Sequence, residues 1–255
     1  MPVRNSYWTG TWENEKFIPD QEDPTRLEVI NHYLSPTVTR DQSGRTVAIG
    51  IVPETRSSEE QLQAGWAHTY GLPRVWELSD DGQRLLQRPA KELQELRYDH
   101  KHRENIAVPE NGHLLSGISG DAMELILEID MKDATKLGID VRRSPGGEEK
   151  TTIAYDNEAQ EFLLHRRQSS LNREVVRDLQ RGPFPLEKGE TLRLHIFIDK
   201  SVVEVFAGEW GTFTTRIYPM RDDSTGIRLF TEGGSATVKT LDAWKMKSIW
   251  KDNDD

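Results

Sequence analysis

The sequence predicts an all-β fold, and three observations lead to that prediction. Apolar and polar residues alternate with a period of two in most recognisable segments, as in MELILEID and LRLHIFID. Clusters of Gly, Pro, Asn and Asp separate these segments at short intervals. Helical periodicity is confined to one short segment, Pro89 to Tyr98, where Leu93 and Leu96 share a face. Short alternating strands with turn residues between them are typical of an antiparallel β-sandwich.

The same alternation predicts which side chains form the core. Alternate residues of a strand point to the same face, so the apolar set of each segment should be buried together. Further segments with this pattern are LGIDVRR, TTIAY, EFLLH, VVEVF, TFTTRIY, GIRLF and ATVKTL. We therefore expect a two-sheet sandwich from about residue 110 to residue 250. Its predicted core contains Leu125, Leu127, Ile129, Leu194, Ile196, Ile198, Val203, Val205 and Trp244.

The first part of the chain has a different character. Tryptophans, prolines and long polar stretches surround a few strand-like runs, among them SYWTGTW, TVTRD and TVAIGIV. The helical segment from Pro89 to Tyr98 follows, and the charged run KHREN then indicates a boundary. We expect one unit over residues 1–105, ending in a bridging helix, and a second over residues 106–255.

Composition and charge exclude several classes of function. The 255 residues include 43 acidic and 33 basic side chains, with a formal net charge of -10. Nucleic acid is not an expected partner, because phosphate binding needs a basic face. The absence of cysteine excludes disulfides and thiolate metal sites. No apolar run has the length of a signal peptide core or a membrane span, so no membrane partner is expected and no compartment is indicated.

Three segments of the first part contain distinctive motifs. The first is SYWTGTWENEKFIPD. The second is NHYLSPTVTRDQSGRTVAIG, which contains Tyr33, Asp41, Gly44 and Arg45. The third is GWAHTYGLPRVWEL, which contains Gly65, Trp66, Leu72, Pro73 and Arg74, and LLQRPAKELQELR continues it.

Two further segments lie in the second part, FIDKSVVEVFAGEWGTFTTRIYP and LDAWKM, the latter with Trp244 and Met246. The first resembles an "Asp-x-Ser-x-x-Glu-x-Phe" hairpin followed by an Arg-Ile-x-Pro strand. All these segments, in this order, resemble glycoside hydrolase family 32, the group of invertases, levanases and inulinases.

The resemblance implies both a fold and an activity. Members of this family have a five-bladed β-propeller that carries the active site, followed by a β-sandwich. The chain would then consist of a remnant of the last propeller blade and an antiparallel sandwich. The implied activity is retaining hydrolysis of terminal fructosidic bonds in sucrose or fructans, as in a β-fructofuranosidase.

The catalytic motifs of the family are absent from the chain. Retaining hydrolysis needs a nucleophilic carboxylate and a second carboxyl that serves as acid and base. In the family the nucleophile lies in a Trp-Met-Asn-Asp-Pro-Asn-Gly motif, a transition-state aspartate in Arg-Asp-Pro and the acid/base in Glu-Cys, and none of the three motifs occurs here. The nearest match is Glu22-Asp23-Pro24, in which Asp23 is expected to be a solvated turn residue. We expect no catalytic residue in this chain, and no activity from it alone.

Two residues are candidates for substrate binding by resemblance. Tyr33 would line the fructose pocket with its ring and donate a hydrogen bond from its hydroxyl, and a core tyrosine with a satisfied hydroxyl is the alternative. Glu54 in GIVPET matches a loop at the pocket rim, although Ile51 replaces a family tryptophan just before it. An ordinary surface carboxylate is the alternative for Glu54.

Other polar groups are expected to be structural. Asp199 and Glu204 lie in the sandwich hairpin, where the family has no known catalytic residue. His165, Arg166 and Arg167 are expected at an exposed strand end. His100 and His102 are two residues apart in a polar linker, and no third ligand is expected nearby. No metal and no cofactor are therefore predicted.

Three interpretations of the whole chain follow. It is a piece of an intact β-fructosidase, or one half of a split enzyme, or a non-catalytic carbohydrate-binding or structural module. The expected partners are a carbohydrate substrate and either the missing N-terminal half of the propeller or a second copy bound through the sandwich.

Overall fold

The computed structural model describes residues 5–30, 32–187 and 189–250, and most of these residues lie in strands. The all-β prediction is therefore confirmed. Among the described residues, no helix has the length and apolar character needed to cross a membrane.

The described residues of the first part form nine strands and one α-helix. Two small ribbons form by pairing of β1 with β4 and of β2 with β3, while the other strands form one sheet of order β5-β6-β8-β9, with β7 also paired to β6. The elements are β1 (Ser6–Tyr7), β2 (Gly10–Glu13), β3 (Lys16–Pro19), β4 (Thr25–Arg26), β5 (Leu34–Arg40), β6 (Thr46–Val52), α1 (Ser58–Ala64), β7 (Thr69–Tyr70), β8 (Arg74–Leu78) and β9 (Leu85–Pro89).

The second part forms two six-stranded antiparallel sheets. One has the order β10-β21-β12-β17-β18-β19 and the other β11-β20-β13-β14-β15-β16. The strands are β10 (Arg97–Val108), β11 (His113–Ser119), β12 (Ala122–Asp130), β13 (Lys136–Arg143), β14 (Thr151–Asp156), β15 (Glu161–His165), β16 (Leu179–Pro183), β17 (Leu192–Asp199), β18 (Val202–Ala207), β19 (Gly211–Arg216), β20 (Gly226–Glu232) and β21 (Ala236–Met246).

The alternation predicted the core well. Apolar side chains from both sheets form one buried cluster, which includes eight of the nine predicted residues: Leu125, Leu127, Ile129, Leu194, Ile196, Ile198, Val203 and Val205. Trp244 is the exception, and its prediction was wrong. Leu241 and Ala243 are the buried residues of this part of β21, so Trp244 lies on the outer face, where it stacks on His100.

Two helix predictions need correction. The segment from Pro89 to Tyr98 contains only a 3₁₀ helix, Lys91–Leu96. Within the described residues the α-helix lies elsewhere, at α1, where the hydroxyl of Ser57 and the carboxylate of Glu60 form a capping box and Gly65 ends the helix in the left-handed conformation. Ser57 and Glu60 form a recognisable helix-start signal, but a search for apolar periodicity alone does not detect it.

The expected boundary near residue 105 falls inside a strand. β10 begins at Arg97 and belongs to a sandwich sheet, so the charged run KHREN is not a linker. β10 lies at the edge of its sheet, and only Val108 of its residues is buried. A polar edge strand lacks the apolar alternation by which the other strands were predicted.

The sheet of the first part lies against the outer face of the sandwich. In β18, Val203 and Val205 point into the core, whereas Glu204 points away from it towards the first part. A backbone hydrogen bond from Val29 to Thr212, 2.8 Å long, also joins the two parts. The residues that were candidates for the site all lie at or near this junction.

Candidate functional site

Arg74, the first residue of β8, is fully buried between two carboxylates. Its Nη1 lies 3.0 Å from Oε1 of Glu28, and its Nη2 lies 2.7 Å from Oε2 of Glu204. The guanidinium also donates to Gln87 Oε1 at 3.1 Å and to Thr214 Oγ1 at 2.7 Å. Burial lowers the pKa of Arg74, but Glu28 and Glu204 outweigh it and hold the pKa above its ordinary value. The cation therefore remains charged.

The two carboxylates also fix backbone segments of the first part. Oε2 of Glu28 accepts hydrogen bonds from the amides of His32 and Tyr33, at 2.9 and 3.0 Å. Oε1 of Glu204 accepts one from the amide of Leu72, at 2.6 Å. This group of charges therefore positions the chain on both sides of the Tyr33 ring.

Tyr33 is completely buried in this junction. Gly50 and Gly71 flank its ring so closely that a Cβ atom would lie 2.6 Å and 2.9 Å from ring carbons. The Arg74 guanidinium lies 3.7 Å from the ring centroid, and the hydroxyl donates to the carbonyl of Ala48 at 3.2 Å. Burial raises the pKa of the hydroxyl to about 12. The geometry matches the core alternative, and substrate binding by Tyr33 stays a prediction.

Glu54 is buried at a second contact between the sheet and the sandwich. Its Oε1 accepts hydrogen bonds from the Tyr218 hydroxyl and from the amides of Thr55 and Arg56, the amides at 2.9 and 3.0 Å. Its Oε2 lies 2.7 Å from Nη2 of Arg56 and 3.8 Å from Nη2 of Arg216. Burial opposes ionisation, but the hydrogen bonds from Arg56 and Tyr218 lower the pKa of Glu54 to about 2. The expectation of a plain surface carboxylate does not fit this burial.

The aromatic ring of Trp66 lies beside Glu54 in the same contact. The guanidinium carbons of Arg56 and Arg216 lie 4.7 and 4.8 Å from the centroid of the indole. Both guanidinium groups therefore interact with the Glu54 carboxylate and with the indole ring. As with Tyr33, the polar atoms of Glu54 already have protein partners, and a sugar contact stays a prediction.

The remaining polar candidates are either exposed or bound to other residues of the protein. Asp199 and Glu204 do not form a pair, since Asp199 is exposed and Glu204 binds Arg74. Asp23 lies exposed in a bend, as predicted. The expectation of an exposed strand end fails for Arg166, which is fully buried, donates to the Arg216 carbonyl at 2.9 Å and pairs with Asp178 at 2.7 Å.

The expectation that no third ligand lies near the two linker histidines was also wrong. His100 and His102 lie on β10, and Asp242 of β21 lies opposite His102 in the strand register. The spacing of the histidines by two residues was the available signal, because it places both side chains on one face of a strand. The partner comes from a position 140 residues later, which local spacing does not indicate.

One face of the five-stranded sheet carries a partly exposed apolar patch. In β6, Ala48 and Val52 are fully buried on one face, while Ile49 and Ile51 on the other are 38% and 36% exposed. Val47 pairs with Val75 of β8, and Ile51 pairs with Tyr70 of β7, so these side chains share the second face. We call the following residues the apolar sheet face: Val47, Ile49, Ile51, Tyr70 and Val75.

Two family models match the chain in sequence. The Glycosyl hydrolases family 32 N-terminal domain matches residues 2–89, and the Glycosyl hydrolases family 32 C terminal matches residues 92–245. The chain belongs to glycosyl hydrolase family 32. The resemblance predicted from the separated motifs is thereby confirmed.

Two family 32 relatives of this chain are about twice as long as it is, or longer. A sucrose-6-phosphate hydrolase of Zymomonas mobilis is 26% identical over 250 residues, covering 96% of this chain and 47% of the relative. A levanase of Bacillus subtilis is 29% identical over 214 residues, covering 81% of this chain and 31% of the levanase. The chain spans about half the length of the sucrose-6-phosphate hydrolase and about a third of the length of the levanase.

Solved structures of the family share the fold. A fructan 1-exohydrolase IIa from Cichorium intybus superposes with a TM-score of 0.84 at 20% identity, covering 94% of this chain and 55% of that one. A sucrose-6-phosphate hydrolase from Lactobacillus gasseri gives 0.78 at 23% identity, covering 97% and 48%. At these identities the likeness concerns the fold alone.

Tyr33→Phe tests whether the hydroxyl of Tyr33 serves the fold. Because the hydroxyl donates to the Ala48 carbonyl, we expect the free energy of unfolding to fall by about 0.5 to 1.5 kcal/mol in urea titrations. Tyr70→Phe is the control, since Tyr70 is 73% exposed. Unchanged stability combined with weaker sugar binding would instead assign the hydroxyl to a ligand.

Glu54→Gln tests the second junction through its pH dependence. The pKa of Glu54 is about 2 in the folded chain and about 4.3 in an unfolded one. Ionised Glu54 therefore stabilises the fold at pH values above the pKa of the unfolded chain. This contribution is lost as the pH falls towards 2. We expect Glu54→Gln to be destabilised at pH 7, with a smaller difference from the unsubstituted chain at low pH.

Urea titrations at several pH values measure this difference. Glu59→Gln is the matched control, because Glu59 is exposed in α1. A difference between Glu54→Gln and the unsubstituted chain that stays constant from neutral to acidic pH would contradict the assignment.

Proposed function

We propose that this family 32 chain is the C-terminal part of a β-fructofuranosidase-type glycoside hydrolase. In this proposal the first part of the chain is the last blade of a five-bladed propeller, and the second part is the C-terminal sandwich. The chain then supplies the last blade of the propeller and the sandwich on which this blade packs. The remaining blades lie either on the same polypeptide or on a separate one.

The apolar sheet face is the observation that carries this proposal. A strand that is apolar on both faces is typical of a sheet covered on both sides. β6 has this composition, yet only the face towards Tyr33 and the sandwich is covered. Within the described residues β5 pairs only with β6, so the sheet also has a free edge. A neighbouring blade packed on the apolar sheet face accounts for the exposed apolar side chains.

The chemistry is assigned to the rest of the propeller. A retaining glycosidase needs two carboxyl groups that are free to act on the sugar. The buried carboxylates at the junction, Glu28, Glu54 and Glu204, are held by arginines and backbone amides. Such partners stabilise the ionised form and occupy the oxygen atoms that would attack or donate a proton. We therefore propose that this chain contributes no catalytic carboxylate.

The proposed substrates are fructosides. Relatives are named for hydrolysis of sucrose 6-phosphate, levan and fructan. A fructan 1-exohydrolase with the same fold was solved in complex with 1-kestose. Sucrose, its 6-phosphate and short fructans are the substrates to test.

We expect the chain alone to release no fructose from sucrose, sucrose 6-phosphate or 1-kestose, because the nucleophile and the acid/base each contribute orders of magnitude to the rate. Fructose release is the measurement. Turnover that survives purification and is lost on mutating a carboxylate of this chain would overturn the proposal.

A second experiment searches for the missing part of the propeller. Sequencing upstream of the first codon, or of adjacent genes, should identify a segment with an Asn-Asp-Pro-Asn-Gly motif, and mixing that segment with this chain should restore activity.

The apolar sheet face gives a second test, which needs no activity. We expect the chain alone to self-associate through this face, and the double variant Ile49→Lys, Ile51→Lys to sediment as a monomer without losing thermal stability, since both side chains are partly exposed. Leu114→Lys is the control on the sandwich, where Leu114 is 55% exposed. Association that persists in the double variant and is lost in the control variant would favour dimers formed through the sandwich.

A further inference from the structure

Three side chains with metal-binding atoms converge on the outer face of the sandwich. His100 Nε2 lies 2.7 Å and His102 Nδ1 2.9 Å from the same oxygen, Oδ1 of Asp242. These three atoms all lie within 4.8 Å of one another. We propose that His100, His102 and Asp242 bind a divalent transition-metal ion of the Zn²⁺ type. This proposal is independent of the proposed hydrolase function.

The donor set and its spacing suit such an ion. Imidazole nitrogen and carboxylate oxygen are ordinary ligands of Zn²⁺, at about 2.0 to 2.2 Å. Ligand atoms around a tetrahedral Zn²⁺ are then about 3.3 Å apart, so small side-chain rotations open the cluster enough to hold the ion. Three protein ligands leave a fourth position for water, and the half-exposed histidines give the ion access from solvent.

A carboxylate outside the cluster fixes the ring of His102. Oε1 of Glu104 lies 3.2 Å from Nε2 of His102, so this nitrogen donates to Glu104 and leaves Nδ1 to bind the ion. Metal-bound histidines commonly have such a carboxylate on the other ring nitrogen, where it sets the tautomer and raises the basicity of the ligand. Glu104 therefore has the position of a supporting residue.

Aromatic stacking fixes the ring of His100. Its imidazole stacks on the Trp244 indole with centroids 4.6 Å apart and planes inclined by 7°. The guanidinium of Arg97 lies 4.1 Å from the centroid of the same indole, and its Nε donates to Glu124 at 2.7 Å. The ring is therefore held before an ion arrives, which lowers the entropy lost on binding.

The local charge also favours a cation. Asp242 and Glu104 face the histidines, whereas the nearby ammonium groups of Lys101 and Lys245 are paired with Asp99 at 2.7 and 3.0 Å. An irregularity in the register between Tyr98 and Lys101 accompanies the position of His100. Such bulges often re-aim side chains at functional positions.

A bound ion would join β10 to β21. β10 is an edge strand, so one of its sides lacks a neighbouring strand among the described residues. Ligands from both strands make the ion a cross-link between the edge and the interior of the sheet. We therefore expect a structural role, in which the ion stabilises the folded chain by binding to it alone.

Titration calorimetry on the full 255-residue chain, produced without a histidine tag and stripped with a chelator, tests the site. We expect one Zn²⁺ per chain and no binding of Mg²⁺, which prefers oxygen ligands. His102→Ala and Asp242→Asn should each weaken Zn²⁺ binding by more than about 100-fold, and Glu104→Gln by about 10- to 100-fold. His113→Ala is the matched control, because His113 is an exposed histidine on β11 of the opposite sheet.

Zn²⁺ should also raise the melting temperature of the chain and slow amide hydrogen exchange in β10, and neither effect should occur in Asp242→Asn. Circular dichroism of each variant verifies the fold, and His100→Gln serves as a second ligand variant if one fails to fold. The proposal is overturned if the chain binds no Zn²⁺, or if binding is equally strong in His102→Ala, His100→Gln and Asp242→Asn.

Discussion

The buried ion pair of Arg74 with Glu28 and Glu204 is the interaction on which the arrangement of the chain depends. The guanidinium is fully buried, and its two carboxylates come from the first part and from the sandwich hairpin. Removing one member of a buried pair leaves an uncompensated charge, which typically costs about 3 to 5 kcal/mol. The two parts of the chain are therefore held together by a contact that tolerates little displacement.

The two candidate residues for sugar binding owe their positions to contacts between the two parts of the chain, Tyr33 to the Arg74 ion pair and Glu54 to the second contact. Tyr33 packs on the Arg74 guanidinium, and Glu54 is held by Arg56 and by Tyr218 of the sandwich. A tyrosine and a carboxylate in a carbohydrate enzyme suggest ligand contacts from sequence. In the folded chain the polar atoms of both side chains form hydrogen bonds to other residues of the protein. A family position alone therefore does not distinguish a residue that lines a pocket from one that supports it from behind.

Sequence reasoning succeeded where local alternation decides the structure and failed where distant residues decide it. Leu125 and Ile196 were predicted from a period of two, since burial of one face requires it. Trp244 was misplaced because Leu241 and Ala243 are the buried residues of its strand, which puts Trp244 on the outer face. The burial of Arg166 and the approach of Asp242 to His102 depend on residues that only the tertiary fold brings together. No spacing in the sequence encodes those contacts.

The separation of the ion-pair partners along the chain also bears on cooperativity. Arg74 and Glu204 are 130 residues apart, and Thr214 is 140 residues from Arg74. Because closing such long loops is entropically costly, we expect these contacts to form after the hairpins of the sandwich have paired locally. Until then each of these charges is stable only in water, because burial without its partner is unfavourable. We therefore expect docking of the first part to be cooperative, so that loss of either part exposes the charged surface of the other.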